Sequence, residues 1–121
     1  MIVKPNTNGA ELVSDLNPVS NHYHLNALTL MQGHMQQIQK NEYVMYKPRW
    51  GAFYQTPLEF FLKTHKIDSL VFCGCNFPNC PRTSIYEASE RDFKIALASD
   101  AVSGLYEKDI QELIRSLTTF T

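Results

Sequence analysis

The segment Gly74–Cys75–Asn76–Phe77–Pro78–Asn79–Cys80–Pro81–Arg82–Thr83–Ser84 concentrates the residue types that can do chemistry. An apolar run ends at Gly74, a tight loop follows, and Cys80 opens a helix with Pro81 in its first turn. Backbone N–H groups at a helix start have no intrahelical partner, and the helix dipole places positive charge there. Both favour thiolate over thiol, and the thiolate is the nucleophile. The same N–H groups suit an oxyanion on an attacked carbonyl. Lys47, which closes an earlier strand-like segment, can add positive charge beside the sulfur. Cys80 is then expected to react with iodoacetamide faster at neutral pH than an ordinary thiol.

Two other readings of the cysteines compete with this one. Cys73 sits inside the apolar run and Cys75 just after it, where a cysteine usually serves as a small hydrophobe. Cys73, Cys75 and Cys80 also form a C-x-C-x4-C pattern to which His22 and His24 could contribute. The spacing lacks the usual C-x2-C pairs, so a metal site is disfavoured. No cofactor is expected. His22 and His24 read as surface residues in a polar loop.

The elements that must position these groups follow from periodicity. Leu28, Met31, Met35 and Ile38 predict a helix over 24–40, weakened by Gly33. Residues 42–47 read as a strand, with a shorter possible strand at 11–13. Thr56, Pro57 and Glu59 give helix-start signals before a face of Leu58, Phe61 and Leu62. The run 69–75 reads as a strand covered on both faces. A helix over 80–91, a strand over 94–101 and a helix near 107–118 complete the chain, the last with Ile110, Leu113, Ile114 and Leu117 on one side. This alternation predicts an α/β fold: a three-layer α-β-α, Rossmann-like parallel sheet, with sites at the C-terminal ends of its strands. The 121 residues read as a single domain with a loop-rich segment over 1–21.

Composition narrows the function classes. A net charge of −1, with 44% apolar and 19% charged residues, points to no nucleic-acid partner. No apolar run approaches the roughly 18 residues of a membrane helix, and no signal-peptide core follows Met1, so neither a membrane nor a secreted setting is expected. Three cysteines within eight positions make a poor disulfide framework and fit a reducing, cytoplasmic compartment.

Several segments, in order, resemble the isochorismatase-like cysteine hydrolases, a family that includes nicotinamidases and other amidases. These are GAELVSDLNP at 9–18, YVMYKPRWGAFYQTPLEFFL at 43–62, SLVFCGCNFPNCPRTSIYEA at 69–88 and FKIALASDAVS at 93–103. The resemblance implies that Cys80 attacks an amide or related carbonyl bond of a small molecule and that Lys47 belongs to the catalytic triad. It implies a cis peptide between Cys75 and Asn76, with the backbone N–H groups of Asn76 and Cys80 forming an oxyanion hole. Trp50, Tyr54 and Phe77 become candidate substrate-pocket residues, with Phe53 in the core.

The pattern also departs from the family. Phe77 and Pro78 stand where Thr and Asp are common, and Pro81 replaces a small aliphatic residue. The Asp/His metal motif of nicotinamidases has no match, so nicotinamide is not the expected substrate and no metal is called for. The family's first strand, which ends in the catalytic aspartate, has no match in these residues. Asp15 lies in the wrong segment, while Asp68 and Asp100 match other positions. The fold is therefore expected to be incomplete at its N-terminus. A non-catalytic remnant that completes its sheet with a partner chain is the alternative to a hydrolase, and a homo-oligomer or a sheet-completing chain is the expected partner.

Overall fold

The computed structural model describes residues 4–16 and 24–117. They fall into two compact units. One comprises Met1–Tyr46 with Gln55–Pro57, the other Lys47–Tyr54 with Leu58–Thr121.

In the first unit, short 3₁₀ turns occupy Asn8–Ala10 and Ser14–Leu16. They flank residues 11–13, which form no strand. The helix expected over 24–40 is confined to α1, Ala27–Met31, capped by the Asn26 side chain accepting from the Thr29 N–H at 3.0 Å. Gly33 ends it. Its φ of 86° lies in the left-handed region, where a Cβ is penalised and glycine is not. The His34 N–H then reaches back to the Thr29 carbonyl, closing the turn.

The chain continues as β1 (Gln36–Gln39), which pairs antiparallel with β2 (Glu42–Val44). Asn41, at φ 63°, makes the turn between them, a conformation asparagine tolerates. The strand expected over 42–47 is thus half of a local hairpin and not a member of the parallel sheet. A turn of two residues brings its partner within reach at little entropic cost. Of the apolar positions read as a helical stripe, Ile38 is buried while Leu28 and Met31 are largely exposed; Leu30 is buried instead.

The second unit holds α2 (Leu58–Thr64), β3 (Ser69–Gly74), α3 (Cys80–Ser89), β4 (Lys94–Val102) and α4 (Glu107–Leu117). β3 and β4 pair in parallel, with Leu70 opposite Ile95 and Phe72 opposite Leu97, and α3 is the crossover between them. The expected α/β class is what the chain adopts.

Two apolar clusters hold this unit together. Phe53, Leu62, Ala88 and Phe93 form one, packed on by Leu70, Phe72 and Ile95. Phe77, Ile85 and Leu113 form the other, with Phe72, Leu97 and Leu117 against them. Leu113 is the buried residue of α4, while Ile114, expected beside it, is about half exposed.

Among the described residues, β3 is covered on one face and not on both. Leu70 and Phe72 face the clusters, whereas Val71 is 73% exposed and Cys73 is exposed. Alternating side chains necessarily divide in this way when a single face is packed. Cys73 is accordingly not the core hydrophobe that its apolar neighbours imply.

Candidate active site

The loop between β3 and α3 is built around buried and backbone anchors. Gly74 has φ 115°, and the Cys75–Asn76 peptide is cis, at the bond the family resemblance singled out. Phe77 is 1% exposed and drives into the second apolar cluster. Its N–H donates to the Ser103 carbonyl at 2.8 Å, and the Ser103 N–H donates to the Gly74 carbonyl at 3.0 Å. The side chain of Asn76 lies over Gly104, filling the place a Cβ would take there. The segment after β4 therefore pins the loop from below. Phe77, a pocket wall by sequence, is in the structure the loop's buried anchor. An apolar ring in a mostly polar loop gains more from the core than from a wet cleft.

Cys80 opens α3 at half-buried depth. Asn79, at the N-cap position, makes no side-chain capping bond, and Pro81 has no N–H to offer. The Asn79 N–H is taken by the Asn76 carbonyl, and the Arg82 N–H by that of Phe77. Among the described residues, the N–H groups of Asn76 and Cys80 take no part in these turn bonds.

Lys47 Nζ donates to Cys80 Sγ at 3.2 Å and to the Arg49 carbonyl at 2.9 Å. A lysine on an irregular segment and a cysteine 33 residues later thus meet at hydrogen-bond distance.

The segment that carries Lys47 lies along α3. Ser84 Oγ accepts from the Ala52 N–H at 3.0 Å and donates to the Cys80 carbonyl at 2.7 Å. Glu87 Oε2 accepts from the Phe53 N–H at 2.9 Å. Arg91 donates to the Glu87 carbonyl, pairs with Glu59 at 2.8 Å and stands 5.0 Å over the Phe53 ring. Ser84 and Glu87 are not singled out by the sequence. Their spacing of four and seven residues from Cys80, on one helix face, is the signal that could have found them.

A cavity of about 700 Å³ opens beside this face, lined by residues 48–51, Tyr54, Thr83 and Glu87. Trp50 and Tyr54, two of the three expected pocket residues, line it; both are substantially exposed. Phe53 is in the core, as expected.

The remaining candidates are dispersed. All three cysteines are free thiols. Among the described residues, no group of three His, Cys, Asp or Glu side chains is placed to hold a metal ion, and His22 lies outside the described residues. His24 approaches Glu11 at 3.9 Å. Asp68 pairs with Lys94 at 3.1 Å. No helix among the described residues is long and apolar enough to cross a membrane.

Known proteins bear on this arrangement. The family model for the isochorismatase domain matches residues 29–121. The chain belongs to the isochorismatase family. A probable inactive nicotinamidase of Arabidopsis thaliana is 32% identical over 66 residues, which is 54% of this chain and 34% of that protein. A ureidoacrylate amidohydrolase of Methylorubrum extorquens is 31% identical over 78 residues, 64% of this chain and 32% of that one. The matches to these relatives span about a third of their length. Among solved structures, an isochorismatase-like hydrolase from Alkaliphilus metalliredigens superposes with a TM-score of 0.65 at 24% identity, covering 98% of this chain and 58% of that one. That likeness is one of fold.

Proposed function

We propose that this chain is a cysteine hydrolase acting on an amide or related carbonyl bond of a small molecule, with Cys80 as nucleophile and Lys47 as its charged partner. The 3.2 Å contact between Lys47 Nζ and Cys80 Sγ carries the reading. An ammonium at that distance stabilises a thiolate through a charge-assisted hydrogen bond.

In the reaction, Cys80 Sγ bonds to the carbonyl carbon and the C–N bond breaks. The thiol proton leaves with the nitrogen as the free amine or ammonia. Water then adds to the thioester, releasing the carboxylic acid and returning the thiol. The N–H groups of Asn76 and Cys80 are the proposed donors to the oxyanion, supported by their freedom from the turn's own hydrogen bonds. Trp50 and Tyr54 are the proposed ring-lined wall of the substrate cavity. The relative described as a ureidoacrylate amidohydrolase supports the amide class. Three free thiols fit a reducing, cytoplasmic setting.

The test is covalent capture. Incubation with a panel of primary amides and ureido acids, followed by acid quench and intact mass measurement, should reveal an acyl adduct on Cys80. It should be absent from Cys80→Ala and much reduced in Lys47→Met. The absence of an adduct in the wild type, together with unchanged Cys80 alkylation in Lys47→Met, would remove the proposal.

A separate observation points to a partner for the sheet. Among the described residues β3 pairs with β4 alone, and Val71 lies exposed on its uncovered face. An edge of this kind is a template for a further strand. We propose that a strand from another chain, a second copy included, adds there and joins the hydrolase fold.

A further inference from the structure

A lysine side chain is flexible and gains nothing from a thiol it does not meet in a fixed place. Lys47 lies on the irregular segment 47–54, so its own secondary structure does not hold it. α3 does. The segment's N–H groups at Ala52 and Phe53 are gripped in succession by Ser84 Oγ and Glu87 Oε2. Ser84 is 5% exposed and binds the Cys80 carbonyl as well, so one hydroxyl ties the nucleophile's own peptide to the segment carrying its partner.

Gly51 completes the fit. A Cβ at Gly51 would fall inside the carboxylate of Glu87, so any side chain at this position would have to push that carboxylate off its present place on the segment. Cys80, Ser84 and Glu87 share one face of α3, and Lys47, Ala52 and Phe53 answer them in order along the segment. Beyond them the Phe53 ring is seated in the first apolar cluster, which fixes the far end.

We infer that Ser84 and Glu87 are positioning residues, a role that rests on the cysteine-hydrolase reading: with Gly51 they clamp segment 47–54 onto α3 and so hold the Lys47 ammonium against the Cys80 sulfur. They act through Lys47 and not on the substrate carbonyl.

The deciding experiment is iodoacetamide alkylation of the full chain at pH 7, with Cys73, Cys75 and Cys80 resolved by peptide mass spectrometry. Glu87→Ala removes the acceptor from the helix side. Gly51→Ala displaces the same carboxylate from the segment side and leaves every α3 residue unsubstituted. Glu87→Gln keeps an oxygen that can accept from the Phe53 N–H. Lys47→Met sets the full effect. Both Glu87→Ala and Gly51→Ala should slow Cys80 alkylation by about tenfold, as Lys47→Met does, the size of a lost charge-assisted hydrogen bond. Glu87→Gln should restore the wild-type rate. The exposed Cys73 and Cys75 should keep their rates in every variant, and the urea unfolding transition of each variant should stay cooperative.

Glu87→Ala and Gly51→Ala proteins that unfold cooperatively yet alkylate Cys80 at the wild-type rate, beside a slowed Lys47→Met, would overturn the positioning role and leave the hydrolase reading standing. A wild-type rate in Lys47→Met as well would overturn both. If Glu87→Ala does not fold, Gly51→Ala decides by the same criterion.

Discussion

At the scale of single residues, two polar atoms of the site each serve two partners. Lys47 Nζ binds a backbone carbonyl and a sulfur, and Ser84 Oγ accepts one bond while donating another. Such sharing raises the cost of losing any member, because a buried polar group left unpaired keeps its desolvation penalty. Ser84→Ala should remove the bonds to the Ala52 N–H and the Cys80 carbonyl and destabilise the chain by about 1–3 kcal/mol, measured as a lowered midpoint in urea. A midpoint equal to the wild type would mean that water replaces the hydroxyl without loss.

Cys80 was legible from the sequence because its surroundings are local: a strand end, a glycine, a loop and a proline in the first helical turn. Phe77 was not. Whether an aromatic residue in a loop lines a cleft or fills a core depends on what α4 brings to it, and Leu113 lies 36 positions further on.

At the scale of elements, the helices and strands from residue 58 onward follow their apolar periodicity closely. The exceptions lie where a short element competes with a hairpin. Residues 36–39 were read within a helix because Met35 and Ile38 continue its spacing, but Gly33 and Asn41 take left-handed backbone on either side and favour antiparallel pairing.

Elements of the second unit are also joined by exposed ion pairs. The Lys63 hydrogen bond, and then that of Arg91, hold the Glu59 carboxyl below its ordinary range. Ser69, and then Lys94, do the same for Asp68. Both groups bind a proton less readily folded than unfolded. Their contribution is therefore full at neutral pH and is lost as pH falls through the lowered folded values. The effect is modest because water screens exposed pairs. Urea midpoints measured from pH 7 to about pH 3 should fall less steeply for a Glu59→Gln, Asp68→Asn double variant than for the wild type. Parallel curves would show that these pairs carry no acid sensitivity.

At the scale of the whole molecule, the βαβ unit of β3, α3 and β4 is what delivers the site. A parallel crossover places the loop after β3 and the start of α3 at one end of the sheet, where ligands of α/β folds bind. Among the described residues the same unit leaves Val71 exposed and β3 paired with β4 alone. If another chain completes the sheet, the melting temperature should rise with protein concentration and the apparent mass by light scattering should exceed the 13.9 kDa of one chain. A monomeric mass with a concentration-independent melting temperature would remove that proposal.

The sequence by itself determined the α/β class, the elements after residue 58, the cysteine at the head of a helix and the glycine turn before it. These are readable because neighbours within a few positions set backbone preference and apolar spacing. Tertiary structure alone decided that Ser84 ties the segment carrying Lys47 to Cys80, that Gly51 makes room for Glu87 and that Phe77 goes inside. Each of these depends on groups more than 25 positions apart, and no local propensity records which distant surface a side chain will meet.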